Sequence, residues 1–534
     1  MHPTVAQEVI AQKGISTEEY SRVAEVMGRP PNLLELSIFG IMWSEHCSNK
    51  STKLELMKLP YHGAGVLVKE GENNAGVIDI GDGWAVALKM EAHNRSVATN
   101  PRNTAAAGMS SIIRKIYTTG ARPLFSMTSL HLGQISGDSA REQQNRSLFH
   151  DVLKGLANYG NRIEIPALVG ELFFDDSYNA NPVFNVLGIG VLKHKQLVRT
   201  GEKSSRNPVF YAGAATARNC PGEQAADPVC GKLLLEACIE LLATGTAIAI
   251  REIGVGSLAR TTCELAMAER AGLEIELSKV PATEPTMTPD EKLLSESLER
   301  MLIVVKDGLE QKAVEIFAKW NLPYVEVGTM TDDGAIRVLN EGELLAEIPT
   351  ARLSEYSPIY TRAWRPKAPP ALLDFTQFTP FDEKEALLKL LGNPTIAGRR
   401  RALQQFDHPG RPGSDAAVFT VWEANKILAT TAGCNSIYCS QDPREGARIV
   451  VAKAARSLVC TGALPLAITG TLNFGNPHDS EVFWQVRECV EGLAEGCREF
   501  NTPVTGGSVS LFNETPDGAI DPTPTVGMVG IIDD

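Results

Sequence analysis

The sequence predicts an α/β protein built on an internal duplication, and two observations carry that prediction. Pro101–Gly133 and Pro443–Gly475 align without a gap at an offset of 342, and eleven of the 33 positions are identical, more than chance supplies over an ungapped element. The shared residues are Pro101, Arg102, Ala105, Arg114, Thr119, Gly120, Ala121, Pro123, Leu124, Leu130 and Gly133 against Pro443, Arg444, Ala447, Arg456, Thr461, Gly462, Ala463, Pro465, Leu466, Leu472 and Gly475. A period of that length belongs to a set of domains, not to a solenoid. The second observation is an alternation of small-residue helical segments with short β-branched runs, the pattern of sheets covered by helices.

Bulk properties narrow the class. At 534 residues, a prior of about 150 residues per domain gives three or four domains. A net charge of −13 argues against a general nucleic-acid binder, which needs a basic face; a few placed groups still suffice for phosphates. No apolar run reaches the ~18 residues that span a bilayer. The opening MHPTVAQEVIAQKG lacks a basic stretch followed by an apolar one, so a cytoplasmic location is expected. Ten scattered cysteines without a CxxC pair read as thiols of a reducing compartment, with neither a zinc site nor a disulfide framework.

Taken in order, residues 1–36 read as polar and helical, starting a helix at Ser16-Thr17-Glu18-Glu19 and breaking at Pro30-Pro31. Leu33–Met42 follows, then IMWSEHCSNKSTK. That run is either a capped helix end with a solvated face or a contribution to a site. Val66–Val68 and Val77–Ile80 are β-like, Asp79–Gly83 is a turn, and Trp84–Met90 alternates as a strand. Period two puts Lys89, Glu91 and His93 on one face. A cation, a carboxylate and an imidazole together suit a site in which Lys neutralises phosphate, Glu ligates Mg²⁺ and His moves a proton. The polar side of an edge strand fits the same spacing. Helix Ala105–Thr118 with a cap at Gly120, strand Pro123–Leu132, helix Glu142–Tyr159 ended by Gly160, and strands Ala167–Phe174 and Val183–Leu192 complete one unit.

A basic connector, 196–206, leads to a second unit. It begins at Val209–Ala212 and passes through an irregular Ala214–Asp227, helix Lys232–Leu242 and strand Ala247–Ile253. Gly254-Val255-Gly256 then opens helix Leu258–Ala271; such a junction gathers backbone N–H groups as an anion site or serves as a packing device. Leu293–Ser297 leads into strand Met301–Val305, and helix Leu309–Trp320 with a strand pair, Tyr324–Thr329 and Ala335–Leu339, finishes the unit. Proline-rich residues 356–383 read as a linker. The second copy comprises helix Lys384–Leu391, a strand near Ala416–Val421, the repeated element, helix Ser480–Phe500, Thr505–Phe512 with Gly506-Gly507-Ser508, and Val526–Ile532, which matches Leu187–Val191. The expected domains are 1–195, 208–355 and 384–534.

Seven motifs in this order, WSEHCSNKSTK, KMEAHN, TTGARPL, LLSESLERML, LNFGNP, GGSVSLFNET and PTPTVGMVG, resemble formylglycinamide ribonucleotide amidotransferase. This is the phosphoribosylformylglycinamidine synthase of purine biosynthesis, in its small-type synthetase subunit. The resemblance spans nearly the whole chain. It implies the superfamily of aminoimidazole ribonucleotide synthetase, with paired α/β domains in the order A1–B1–A2–B2; A1, B1 and A2 are expected here, with B2 absent. The implied reaction is ATP-dependent. ATP phosphorylates the formamide oxygen of formylglycinamide ribonucleotide, and ammonia from a separate glutaminase subunit displaces the phosphate, with Mg²⁺ carrying phosphate charge. A small bridging subunit is implied as well, and an oligomer or partner is expected over the face that B2 would cover. Neither nucleic acid nor membrane is expected as a partner.

Carried over by position, the resemblance makes His46 the acid and His93 the base. Lys89, Asn49 and Gly507 fall at ATP contacts. His93, Asn94, Arg95, Arg114, Gln224, Glu296, Ser297 and Ser510 fall at substrate positions. Glu91 is an expected magnesium ligand, and so is Glu252, where an Asp is usual. The chain departs from the family pattern elsewhere. Asn49 replaces Tyr, Arg95 replaces His, Lys115 a magnesium-binding Asp, Gly470 an ATP-contacting Asp and Ser508 a magnesium-ligating Asn. The glycine-rich loop has become Thr216-Ala217-Arg218-Asn219-Cys220. An Asp-to-Lys exchange alters local charge by two units, a large change at the effective dielectric of a site. Lys115 either pairs with phosphate or abolishes metal binding. These departures leave a degenerate pseudoenzyme or assembly paralogue as the alternative, and phosphorylation of another amide or small acid as a third reading.

Overall fold

The computed structural model describes residues 6–68, 72–199, 201, 206–218, 226–254, 256–368, 382–396, 414–516 and 518–532, with the side chain of Arg95 set aside. The duplication is visible in strand order. The first sheet runs Val66–Val68, Gly76–Gly81, Trp84–Ala92, Val183–Lys193, Arg122–Leu132, Ala167–Phe174. The sheet of the second copy runs Ala417–Val421, Lys426–Gly433, Thr523–Ile532, Leu464–Asn473, Val504–Ser510. Leaving out the edge strand Val66–Val68, the two orders coincide, and in both only the last pair is parallel. The repeat also fixes the main helix: Pro101–Tyr117 in one copy and Pro443–Val459 in the other, each with Pro in the first turn, where a missing N–H costs nothing.

Each sheet has two differently used faces. Helices Pro101–Tyr117 and Ala140–Ile163 cover the outer face of the first sheet, and Pro443–Val459 and Ser480–Glu499 that of the second. The inner faces meet. Ile78, Val86, Leu88, Met90 and Ile189 share one core with Leu428, Ala432, Val529 and Ile531. The two copies are therefore a face-to-face pseudo-dimer within one chain.

The middle unit is a seven-stranded sheet in the order Glu343–Pro349, Ala335–Asn340, Gly272–Glu276, Tyr324–Thr331, Pro208–Gly213, Arg300–Val305, Ala247–Ile253. Leader helices Thr17–Met27 and Leu33–Met42 each start in a reciprocal capping box, Ser16 with Glu19 and Asn32 with Glu35. Their apolar faces enter the core of this middle unit, and Trp43 donates its indole N–H to Leu353 O at 2.9 Å. The leader thus packs with the second unit, where the sequence grouping placed it with the first.

Three strands escape the sequence reading: Gly272–Glu276, Glu343–Pro349 and Lys426–Gly433. The expected pair of Tyr324–Thr331 and Ala335–Asn340 does not form. Both strands instead flank Gly272–Glu276, the first antiparallel and the second parallel. Gly160 does not end its helix either. It lies inside Ala140–Ile163 because an added Cβ would come within 2.9 Å of both Met109 Cε and Ile165 O, and the helix closes on Glu164 at φ 61°. Of the linker, residues 356–368 are described and lie along the leader and the second copy: Tyr360 donates to Glu19 at 2.9 Å and Arg365 N–H to Ser480 O at 2.9 Å. No helix among the described residues is long and apolar enough to cross a membrane.

Candidate active site

Strand Trp84–Ala92 sends Leu88 and Met90 into the inter-sheet core. By alternation, Lys89 and Glu91 leave by the other face. Lys89 Nζ donates to Gly507 O at 2.9 Å, tying the first copy to the second. His93 lies just past the strand, its N–H donated to Phe184 O at 2.8 Å. Helix Pro101–Tyr117 supplies Ser110, Ser111, Arg114 and Lys115, so that Ser110 with Arg114 and Ser111 with Lys115 stand one turn apart.

The middle unit adds two carboxylates. Arg114, 1% exposed, donates Nε to Glu252 at 3.0 Å and Nη1 to Glu299 at 2.9 Å. Glu299 also accepts from Ser110 at 2.7 Å and Tyr159 at 2.9 Å. Arg114 Nη2 is buried with no hydrogen-bond partner. Lys115 bonds Glu91 Oε1 directly and lies 3.2 Å from Glu252 Oε1. Ser111 Oγ stands 3.4 Å from Glu91 and 3.3 Å from Glu252.

Protonation follows from this geometry. Burial raises the Glu91 carboxyl, but Lys115, His93 and Lys89 outweigh it and hold the group well below the usual range. Burial lowers Lys115, yet Glu91 and Glu252 leave it raised, so the ammonium is charged. His93 is depressed, by burial first, against the pull of Glu91 4.0 Å away, and its Nε2 has no hydrogen-bond partner. His46, an exposed residue on the short helix Glu45–Ser48, lies within the charge field of the same groups. Partial desolvation, then the positive charges of Arg260 and Lys115, lower its imidazole from the usual range. Both imidazoles are neutral near pH 7.

A second cluster joins the two copies. Asn94 Nδ2 lies 2.9 Å from Asn473 Oδ1, 3.1 Å from Ser510 Oγ and 3.0 Å from Asn513 Oδ1, while its Oδ1 accepts Phe184 N–H at 2.9 Å. Gly507 packs so closely that a Cβ would lie 2.4 Å from Gly470 O. Ser508 Oγ is buried without a hydrogen-bond partner. In the middle unit Glu296 accepts Gly256 N–H at 3.0 Å, where helix Ser257–Glu269 begins, and Ser297 accepts Ala217 N–H at 3.2 Å. Fully buried Arg300 braces that loop through Ser295 O, Ser297 O and Thr216 Oγ1.

The structure therefore gathers Glu91, His93, Arg114 and Glu252 with His46 beside them, ties Lys89 to Gly507, and joins Asn94 to Ser510. Glu296 and Ser297 sit on the facing loop of the middle unit. Asn49 is the left-handed cap of helix Glu45–Ser48, at φ 51°. Arg95 lies in the short helix Asn94–Val97, its side chain outside the description, and Gln224 lies outside the described residues. Sequence reading missed Glu299, Ser110, Tyr159, Asn473 and Asn513. Glu299 and Asn513 do lie inside the quoted motifs LLSESLERML and GGSVSLFNET.

Glu91 and Glu252 are the two carboxylates expected to ligate magnesium. Glu91 and Glu252 come together as metal ligands would, but the Lys115 ammonium already lies between them. A unit charge ~4 Å from another is repelled by about 4 kcal/mol at an effective dielectric of ~20, and a dication doubles this. Among the described residues no group of three or more His, Cys, Asp and Glu side chains is placed to hold a metal. The Glu91–Glu252 pair is thus already charge-paired with the Lys115 ammonium.

Comparison with known proteins agrees with the architecture. Residues 72–192 and 413–532 both match the family model of the AIR synthase related protein N-terminal domain, and 191–339 match the C-terminal domain. Residues 7–50 match the formylglycinamide ribonucleotide amidotransferase linker domain. The chain is 42% identical, over 98% of its own length and 74% of the relative's, to phosphoribosylformylglycinamidine synthase subunit PurL of Alkaliphilus metalliredigens. Thermotoga maritima PurL complexed with ATP superposes with a TM-score of 0.82 at 30% identity, covering 96% of this chain and 82% of that one. The same protein complexed with FGAR gives 0.79 at 30% identity, covering 96% and 83%, and the PurLQS structure from Thermotoga maritima gives 0.82 at 30%, covering 96% and 82%.

Proposed function

The chain belongs to the phosphoribosylformylglycinamidine synthase PurL family, and from that membership we propose its reaction and the roles of its residues. It is an ATP-dependent ligase that converts formylglycinamide ribonucleotide to formylglycinamidine ribonucleotide. ATP phosphorylates the formamide oxygen, and ammonia then displaces phosphate. The Thermotoga PurLQS assembly supports a glutaminase subunit as the ammonia source and a small subunit alongside it.

The observation that carries the reading is His93. Its ring is neutral and its Nε2 has no hydrogen-bond partner, beside a carboxylate 4.0 Å away. A neutral imidazole with an open nitrogen accepts a proton from the attacking ammonia as the C–N bond forms. His46, also neutral and on an exposed residue, is assigned as the acid. Arg114 keeps one buried N–H without a partner, suited to an oxyanion of the substrate or of the transferred phosphoryl group. Lys89 and the Gly507 backbone, with Asn49, are assigned to ATP. Asn94, Arg95, Gln224, Glu296, Ser297 and Ser510 are assigned to the ribonucleotide. Glu91 and Glu252 serve as the fixed negative partners of Lys115 and Arg114. No step is routed through a metal held between them.

The test is product formation from formylglycinamide ribonucleotide and ATP by the full chain, with free ammonia and separately with a glutaminase partner. Loss of a general base costs roughly 10²–10⁴-fold in rate, and His93→Asn is expected to fall in that range. No product from either nitrogen source overturns the proposal. It would leave the pseudoenzyme reading, which the closed Glu91–Lys115–Glu252 cluster favours.

A further inference from the structure

We propose that the Lys115 ammonium is a built-in cation that takes the seat of a divalent ion between Glu91 and Glu252, so that this chain carries one metal site fewer than its carboxylates suggest. The link to nucleotide rests on the ATP-dependent reaction proposed above, but the seat itself is defined by this chain's side chains alone.

The geometry is that of a cation site with its cation covalently attached. Glu91 comes from the end of a strand in the first copy and Glu252 from a strand of the middle unit. They converge on one point, occupied by Lys115 Nζ, in direct contact with Glu91 Oε1 and 3.2 Å from Glu252 Oε1. The Ser111 hydroxyl, 3.4 Å from Glu91 Oε2 and 3.3 Å from Glu252 Oε1, closes the cluster from one turn earlier in the same helix. Two carboxylates and a hydroxyl are hard oxygen donors of the kind that Mg²⁺ and Mn²⁺ take. Here they meet an ammonium, which hydrogen-bonds the same oxygens with a fixed single charge. Lys115 and its two carboxylate partners are each 17% exposed or less, and the stem of Lys115 belongs to a helix packed across the sheet, so moving Nζ away would leave Glu91 Oε1 largely buried without its ammonium. The second cation of the cluster, Arg114, is equally committed, to Glu252 and Glu299. The tethered charge has two consequences. It is present before nucleotide arrives, and it does not vary with divalent-ion concentration.

Mn²⁺ counting by equilibrium dialysis and electron paramagnetic resonance on the full chain tests this, with and without a non-hydrolysable ATP analogue whose own binding is measured by calorimetry. Lys115→Asp replaces the ammonium by a third carboxylate and is expected to bind one more Mn²⁺ per chain than the parent under both conditions. Glu252→Gln in the parent, a near-isosteric change, is expected to leave the Mn²⁺ count unaltered. The proposal is overturned if the parent and Lys115→Asp bind equal numbers of ions, or if Glu252→Gln loses one; should Lys115→Asp fail to fold, the Glu252→Gln count decides alone. Absence of analogue binding counts against the nucleotide site and leaves the ion counts of the free chain to decide the seat.

Discussion

The two halves of the pseudo-dimer share strand order, the bounds of their main helix and an inner core, yet equivalent positions have opposite chemistry. At the offset of the repeat, Lys89, Glu91, His93 and Lys115 correspond to Thr431, Gly433, Asn435 and Ser457. Arg114 corresponds to Arg456, but the first is 1% exposed and bonded to Glu252 and Glu299, while the second lies on the surface. The register also makes Glu171 the counterpart of Ser508, since Ser129 faces the one and Thr471 the other. Glu171 fills the space beside Gly433, where a Cβ would lie 2.9 Å from its Oε1. There it accepts Cys434 N–H at 2.7 Å and Lys453 at 2.7 Å, with His131 3.4 Å away. The first site keeps a ring nitrogen of His93 and an N–H of Arg114 without partners, while at the equivalent site the Glu171 carboxylate is taken up by Cys434, Lys453 and His131. A duplicated scaffold conserves what packs, while chemistry survives only where a further domain supplies counter-charges.

The widest expected contrast is catalytic. His93→Asn is expected to slow amidation by roughly 10²–10⁴-fold. Asn435→Ala at the equivalent position is expected to leave the rate unchanged and to cost about 1 kcal/mol, as a lost helix cap. A comparable rate loss in both would break the asymmetry. The next contrast is in stability. Arg114→Ala strands buried Glu299 and should cost roughly 3–5 kcal/mol, against about 0.5 kcal/mol or less for Arg456→Ala. Denaturant titration of the two variants reads the difference directly.

The closed cluster predicts a pH dependence. Burial raises Glu171, but His131 and Lys453 overcome it and bring the carboxyl down to about 2 from an ordinary 4.5. A depressed carboxyl contributes its stability in full above pH 4.5 and loses it as pH falls toward 2. The shift corresponds to about 3 kcal/mol. Acid unfolding should be shallower in Glu171→Gln than in the parent across that window, and identical slopes would remove Glu171 from the account. The smallest effect concerns the contact between the halves. Asn185 donates to Thr525 at 3.0 Å, and a double-mutant cycle to Ala at both should return a coupling of about 1 kcal/mol.

Local signals were read well from sequence. Helix Pro101–Tyr117 and strand Trp84–Ala92 each carry their own period, and the repeat supports the helix as well. Gly272–Glu276 was missed because it is only five residues long and follows helix Ser257–Glu269 after two residues, without a Pro or Asn/Asp turn between them. Glu343–Pro349 was missed because its apolar residues do not alternate. The role of Lys115 was undecidable in sequence for a different reason. Its partner Glu252 lies in another domain, and no local pattern states which charges will be neighbours after three units dock. Gly160 shows the same limit, since the punctuation it supplies elsewhere was overridden by the approach of Met109 and Ile165.

The Asn185–Thr525 hydrogen bond lies where the two halves meet themselves, because Asn185 faces Ser129 as Thr525 faces Thr471, and these are equivalent pairs. In an association of two identical chains, a residue on the symmetry axis must be its own mate, and an amide there would face an amide. Joining the halves in one polypeptide lifts that restriction. Each side of the axis accumulates changes the other need not copy, and an amide can settle against a hydroxyl. The covalent join therefore gave the fold licence to become lopsided, one flank free to specialise while the other hardens into support.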